Sequence, residues 1–137
     1  MTNHRVVIGK MDIRYDDGTI ITKDAVDAFI ARSNTTPIFG ELNNPDLTDM
    51  SAKDRLKRVT TIDPNRITHS IADVQVDADG IITAVVTPAG GMSNRLNIED
   101  GAVNNRFHYR GYARQHSGGT REIIELVTWD LFEESEL

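Results

Sequence analysis

The middle of the chain carries two neighbouring runs of β-branched and apolar residues. Residues 67–76 (ITHSIADVQV) and residues 81–87 (IITAVVT) are separated by Asp-Ala-Asp-Gly at 77–80, which is typical of a tight turn. Pro88 cannot donate a ladder hydrogen bond and therefore ends the second run. The first run changes phase halfway along, so its apolar side chains share one face only if the strand contains a bulge. The sequence predicts an antiparallel hairpin here.

Helices are predicted on either side of a short buried strand. Apolar residues at helical spacing follow Thr22, whose hydroxyl can cap a first turn, and predict a helix over residues 23–33. A capping box at 51–54 (SAKD) predicts a short surface helix that extends through Arg58. A third short helix is expected around residues 93–99.

The other strands are predicted at residues 4–14, 38–39, 106–115 and 121–131, and a short β-branched run lies at 19–21. Five or six strands without regular strand-helix alternation predict an α+β fold, a small, mainly antiparallel β-barrel or sheet with two or three short surrounding helices. The 137 residues are expected to form a single domain with an acidic tail at 132–137.

Composition excludes several classes of function. The chain has no cysteine, which excludes thiolate metal sites and cysteine nucleophiles, and its glycine pairs lack the spacing of a phosphate-binding loop. A formal charge of −6 argues against a nucleic-acid partner, and no apolar run is long enough for a membrane span. We therefore predict no cofactor, no metal, no nucleic acid and no membrane partner.

The charge is nevertheless unevenly distributed. Basic residues cluster at Lys53, Arg55, Lys57, Arg58 and Arg66, whereas the C-terminal part of the chain is acidic. Two solvated faces account for this pattern, and so does a head-to-tail contact between copies, in which opposite patches set the register.

Four segments in the same order resemble the prohead proteases of tailed bacteriophages. They are GELNNP at residues 40–45, DPNRITHSI at 63–71, VVTPAG at 85–90 and FHYRGYA at 107–113. The resemblance implies a herpesvirus-assemblin-like serine protease fold, a small β-barrel with helices around it, that acts in capsid assembly.

The resemblance also places the family's catalytic residues on this chain. Asn44 stands at the position of the family's histidine, and His108 and Tyr109 stand at its two serines, whereas Arg110 and Gly111 are retained. An amide is not a base near neutral pH, and the usual hydroxyl nucleophile is absent from these positions. We therefore predict a pseudo-protease without catalytic residues, in which these five positions are a degenerate active site.

This prediction leads to a first hypothesis about function. The chain would be a non-catalytic virion structural protein, which binds the major capsid protein or other virion proteins as a decoration, cement or assembly component. Its location would be the capsid of the virion, after assembly in the host cytoplasm. Self-association is a further option.

Two other hypotheses stay open. One is a divergent active protease, for which His69, Ser70 and Ser117 are the secondary candidates, and the other is a transient regulator of capsid assembly. A metal site built from His69 and His108 with Asp46 or Glu41 lacks close ligand spacing. A buried, hydrogen-bonded histidine explains His69 better.

Overall fold

The computed structural model describes residues 4–11, 15, 18–99, 102–115 and 118–132. Within these residues it contains two α-helices, α1 (Lys23–Ser33) and α2 (Ala52–Thr60). The strands of the described residues are β1 (His4–Lys10), β2 (Thr19–Ile20), β3 (Ile38–Glu41), β4 (Ile67–Val76), β5 (Ile81–Pro88), β6 (Ile98–Glu99), β7 (Ala102–Val103), β8 (Arg106–Gln115) and β9 (Arg121–Phe132). None of the described helices is long and apolar enough to cross a membrane.

Two sheets form the body of the molecule. The first has the order β1-β5-β4-β3 and is antiparallel throughout, and the predicted central hairpin is its β4–β5 pair. The second has the order β2-β9-β8, with β8 and β9 antiparallel and β2 parallel to β9. In the part of the chain that the structure describes, these sheets do not close into one barrel.

Strand β9 joins the two sheets. Its Trp129 carbonyl lies 2.9 Å from His69 Nε2 on β4, and the Thr128 hydroxyl donates to the Phe39 carbonyl on β3 at 2.8 Å. Leu42, which follows β3, forms a parallel bridge to Leu131. Because these side chains and the Trp129 ring have little or no exposed surface, the junction of the sheets is also the centre of the core.

Helix α1 packs on this junction. The Thr22 hydroxyl accepts a hydrogen bond from the Ala25 amide at 3.3 Å and begins the helix, as predicted. Phe29 is buried and meets the Trp129 ring edge-on, with 5.1 Å between the ring centroids. Arg32 in the last turn lies over Phe29 and donates to the carbonyls of β9, so both ends of the apolar stripe are held.

The α+β prediction is confirmed, and so are helix 23–33 and the strands at 106–115 and 121–131. The predicted bulge also exists, since the β4–β5 register shifts between Ala72 and Gln75 and Asp73 has a φ of 50°. Residues 12–14 of the predicted first strand and residues 133–137 of the predicted acidic tail lie outside the described residues, as do residues 116–117 between the last two predicted strands. Phe132, assigned to that tail, belongs to β9.

The predicted helix at 93–99 is wrong. Only Ser93–Arg95 form a single 3₁₀ turn, after which Leu96 is buried against the core. Ile98 and Glu99 then pair with β7 as a short hairpin. The strand pairing and the burial of Leu96 stabilise this segment more than a helix would, because a short helix is only marginally stable without packing.

Gly40 on β3 should be irreplaceable for steric reasons. A Cβ at this position would lie 2.3 Å from the His69 ring and 2.3 Å from the Trp129 carbonyl, so Gly40→Ala should force the two sheets apart. We expect the free energy of unfolding, measured by chemical denaturation, to fall by at least about 2 kcal/mol.

The matched control is Gly91→Ala. A Cβ there meets no atom within 4 Å, so the change should stay within about 0.5 kcal/mol of the parent. Equal stability of the two variants would contradict the packing described for Gly40.

Candidate active site

A pocket of about 220 Å³ opens between β8 and the segment that runs from β3 into α2. We call it the β8 pocket. Its described lining residues are Asn44, Pro45, Leu47, Val59, His108, Tyr109, Arg110, Gly111, Arg121 and Ile123. All five positions that the family resemblance assigned to an active site therefore lie together, although Asn44 is far from the others in sequence.

Two of these lining residues, Asn44 and Arg110, donate hydrogen bonds to the buried Asp130 carboxylate. Arg110 donates to it through Nε and Nη2, both at 2.9 Å, in the bidentate geometry that suits a guanidinium and a carboxylate. Asn44 Nδ2 donates at 2.7 Å and the Glu41 amide at 2.9 Å. The side chain at the family's histidine position is thus oriented by a buried acid.

Glu41 is the second buried acid. Arg58 on α2 donates to its two carboxylate oxygens at 2.6 and 3.0 Å, and Arg110 Nη2 donates at 3.0 Å. The Asp63 amide adds a further bond at 2.9 Å, and Arg66 Nε lies 3.7 Å away. Because Arg110 contacts both acids, the four residues Glu41, Asp130, Arg58 and Arg110 form one carboxylate–arginine network.

Burial and ion pairing act in opposite directions on the two acids. Burial works to raise the pKa of Glu41, but the hydrogen bonds from Arg58 and the Asp63 amide and the charge of Arg110 hold that pKa below its usual value. At Asp130 burial prevails over the bonds from Arg110 and raises the pKa. Asp130 still accepts hydrogen bonds on both oxygens, which is the arrangement of an ionised carboxylate.

His108 presents a defined nitrogen at the pocket. Its Nδ1 lies 2.9 Å from the Tyr109 carbonyl, and because a carbonyl oxygen can only accept, Nδ1 carries the proton. In the neutral ring the nitrogen that can take up a proton is therefore Nε2. The ring stacks between Tyr109 and Phe132, with centroid distances of 4.5 and 5.5 Å, so its orientation is held by packing.

Gly111 allows β8 to approach β9 at the pocket wall. The register shifts between Arg110 and Gly111, and a Cβ on Gly111 would lie 2.2 Å from the Glu125 carbonyl. Glycine is therefore required at this position because the backbones of β8 and β9 come into close contact there.

The two secondary candidates that the structure describes, His69 and Ser70, do not line this pocket. His69 is buried between the sheets, and its Nε2 donates to the Trp129 carbonyl while Nδ1 lies 2.7 Å from the Thr68 hydroxyl, so both ring nitrogens are used. Ser70 pairs with Phe39 in the first sheet and is not part of the pocket lining. Ser117 lies outside the described residues.

The structure does not bring together the metal site considered from the sequence either. Glu41 is occupied by arginines and His69 by the core, and no group of three potential metal-binding side chains occurs among the described residues. Of the described residues that line the pocket, none is a serine, threonine or cysteine.

Two comparisons with known proteins bear on this site. Residues 15–136 match the model of the Peptidase S80 family. The chain belongs to that peptidase family. Its fold is similar to that of the bacteriophage T4 capsid assembly protease, gp21, with a TM-score of 0.66 and 17% identity over 96% of this chain and 81% of the other. No curated protein matches the sequence.

The resemblance to phage prohead proteases is thus confirmed, whereas the prediction that the chain is not an enzyme is wrong. The family is a peptidase family, and the similar fold is that of a protease. The prediction equated the replacement of the side chains at Asn44, His108 and Tyr109 with the loss of catalysis. A base can come from another position of the same pocket, and His108 supplies an imidazole there.

Sequence reasoning did not single out Asp130, and it considered Glu41 only as a metal ligand. A signal for Asp130 was present, since it is the one charge in the apolar run LVTWDLF at 126–132. A charge inside a buried strand is expected to be paired. Its partner could not be read from the sequence, because Arg110 and Asn44 are brought to it by strand pairing and by the loop after β3.

The network should be essential for stability. Glu41→Gln removes one charge from the buried cluster and leaves Arg110 and Arg58 without their shared partner, so we expect a loss of about 3–5 kcal/mol in the free energy of unfolding. Glu99→Gln, at an exposed position on β6, is the matched control and should change stability by less than about 0.5 kcal/mol. A Glu41→Gln protein as stable as this control would refute the role of the network.

His69 should make stability pH-dependent. Burial lowers the pKa of His69 from 6.5 to about 4, so between these values the unfolded chain takes up a proton that the folded chain does not. The free energy of unfolding should therefore fall as the pH drops below about 6.5, by about 3 kcal/mol in total, and level off below about pH 4.

Denaturation curves between about pH 7 and about pH 4 measure this effect. His69→Gln removes the titrating group and can keep a donor to the Trp129 carbonyl, so its stability should fall less steeply over that range. Parallel profiles for the parent and the variant would show that His69 is not the group responsible.

Proposed function

We propose that this chain is a peptidase of phage capsid assembly that hydrolyses a capsid or other virion polypeptide at the β8 pocket. One observation carries the proposal. In a chain of a peptidase family, the positions that match the family's catalytic motifs converge on one pocket although they lie far apart in sequence. The similar fold belongs to a protein described as a capsid assembly protease, which supports the same process here.

His108 is the proposed general base. Its Nε2 is the nitrogen available to accept a proton, and its ring is held by two aromatic neighbours. An imidazole that is held in place and has a nitrogen able to accept a proton suits this task. Asn44, held by Asp130, would orient the bound polypeptide by its amide, since an amide can position a peptide group but cannot take its proton.

The attacking group is either a water molecule or the Ser117 hydroxyl. In both cases Nε2 accepts the proton of the attacking oxygen, the oxygen bonds to the peptide carbonyl carbon, and the proton passes to the leaving amine as the C–N bond breaks. With Ser117 an acyl intermediate forms, which water then hydrolyses by the same proton transfers. In the sequence Ser117 falls between β8 and β9, and both of these strands contribute pocket residues.

The proposed partner is the major capsid protein or another virion protein, and the proposed place of action is the assembling capsid in the host cytoplasm. The pocket has room for one side chain of an extended polypeptide and is walled by Pro45, Leu47, Val59 and Ile123. Self-association of the chain remains compatible with this role.

The test is co-expression of the full chain with the head proteins of its phage, followed by intact-mass spectrometry. The parent chain should produce fragments of a head protein, and His108→Gln should slow their formation by at least about 100-fold because proton transfer is lost. Arg114→Gln, on the same strand outside the pocket lining, is the control and should cleave normally.

Ser117→Ala and an active-site serine probe separate the two attacking groups. Loss of both cleavage and labelling identifies Ser117, and normal cleavage without labelling identifies water. Absence of any new fragment with the parent chain, together with an intact chain at stoichiometric copy number in mature virions, would overturn the peptidase proposal.

A further inference from the structure

Helix α2 is almost entirely exposed. None of its nine residues is buried, whereas α1 buries Ala25, Val26 and Phe29 against the sheets. Leu56, the strongest apolar residue of α2, keeps 50% of its surface exposed. A helix that contributes so little to the core depends on its contacts with the rest of the protein, which include the ion pair of Arg58 with Glu41 and the packing of Val59 beside β8.

The exposed face of α2 is strongly basic in an otherwise acidic protein. The helix contains four basic residues and one acidic residue, against a formal charge of −6 for the whole chain. Arg58 is engaged by Glu41, and Arg55 Nε donates to the Met50 carbonyl. Lys53 and Lys57 are exposed and make no ion pair with a residue that the structure describes. Such a positively charged face attracts negatively charged molecules or segments.

An apolar cavity adjoins this basic face. It measures about 310 Å³ and is lined by Met50, Asp54, Lys57, Arg58 and Thr61. The walls are mostly carbon atoms, contributed by the methionine and by the stems of the long basic side chains. The surface therefore offers two different features side by side, which are positive charge and an opening for one apolar side chain.

The same helix reaches the β8 pocket. Val59, in the last turn of α2, lines that pocket together with His108. Arg58 binds Glu41, which in turn binds Arg110 of the pocket wall. A polypeptide that lies along α2 thus passes directly to the proposed site of hydrolysis.

We propose that the exposed face of α2, with the cavity beside it, is a docking surface for an acidic segment of the polypeptide that the β8 pocket cleaves. This inference rests on the proposed function. The acidic side chains meet Lys53 and Lys57, and one apolar side chain of the segment enters the cavity. Nucleic acid fits less well, because an apolar cavity offers nothing to a phosphate backbone and the chain as a whole repels it.

Binding is measured apart from cleavage, by fluorescence anisotropy with a labelled peptide of glutamates around a single leucine. The Lys53→Glu, Lys57→Glu double variant should weaken binding by at least about tenfold, since two attractions become repulsions. The Lys10→Glu, Arg114→Glu double variant changes the net charge equally at sites away from α2 and should bind like the parent. Added salt should weaken parent binding, because it screens exposed charges.

Met50→Ser tests the cavity. It should weaken binding of the leucine peptide and leave unchanged the binding of a peptide in which serine replaces leucine. All variants alter exposed or partly exposed positions, and unchanged thermal unfolding confirms that they fold.

Three results would overturn the docking surface. The first is that both double variants bind the acidic peptide with equal affinity, and the second is that the parent binds duplex DNA more tightly than this peptide. The third is that the α2 variant loses a homo-oligomer but still binds the peptide. Cleavage of head proteins at normal KM by the α2 variant would refute docking and leave the peptidase proposal intact. Peptide binding that depends on α2, without cleavage by the parent, would refute the peptidase and leave docking intact.

Discussion

The ion pairing of two buried carboxylates with Arg110 is the interaction on which the rest of this structure depends. Glu41 ends β3 in the first sheet, Asp130 lies on β9 in the second, and Arg110 on β8 contacts both. A buried charge without a partner costs several kcal/mol, so these acids are tolerated only if the strands and the arginine meet in one arrangement. The network thereby specifies how the sheets are placed relative to each other at the site.

The chemistry of the β8 pocket follows from the same network. Asp130 orients Asn44, Glu41 holds α2 through Arg58, and α2 brings Val59 to the pocket wall. The network thus holds three residues of the pocket lining, Asn44, Val59 and Arg110, and the proposed base, His108, lies on the strand that also carries Arg110. The side chains that face a substrate can therefore differ between proteins of one fold. Their arrangement in the pocket is kept as long as the buried charges of the network remain paired.

Sequence reasoning was most successful where the signal was local. Thr22 and the apolar stripe that follows it indicate α1 from its own residues, and the turn at 77–80 indicates the central hairpin. The helix expected at 93–99 does not form, because Leu96 is buried in the core and Ile98 pairs with β7. Neither contact can be read from a local sequence pattern. The error about catalysis had a similar origin, since it judged Asn44 and His108 one position at a time.

The sequence by itself determined the α+β class, the boundaries of α1, β4, β8 and β9 to within about a residue, and the family resemblance, because propensity, turn chemistry and motif order are properties of neighbouring residues. It also proposed the five positions of the candidate site. Only the tertiary structure decided that these positions share one pocket, that Asp130 and Glu41 bind residues of its lining, and that His69 belongs to the core. The physical reason is that a buried charge must be paired, and its partner can come from any part of the chain that the fold brings within hydrogen-bond distance.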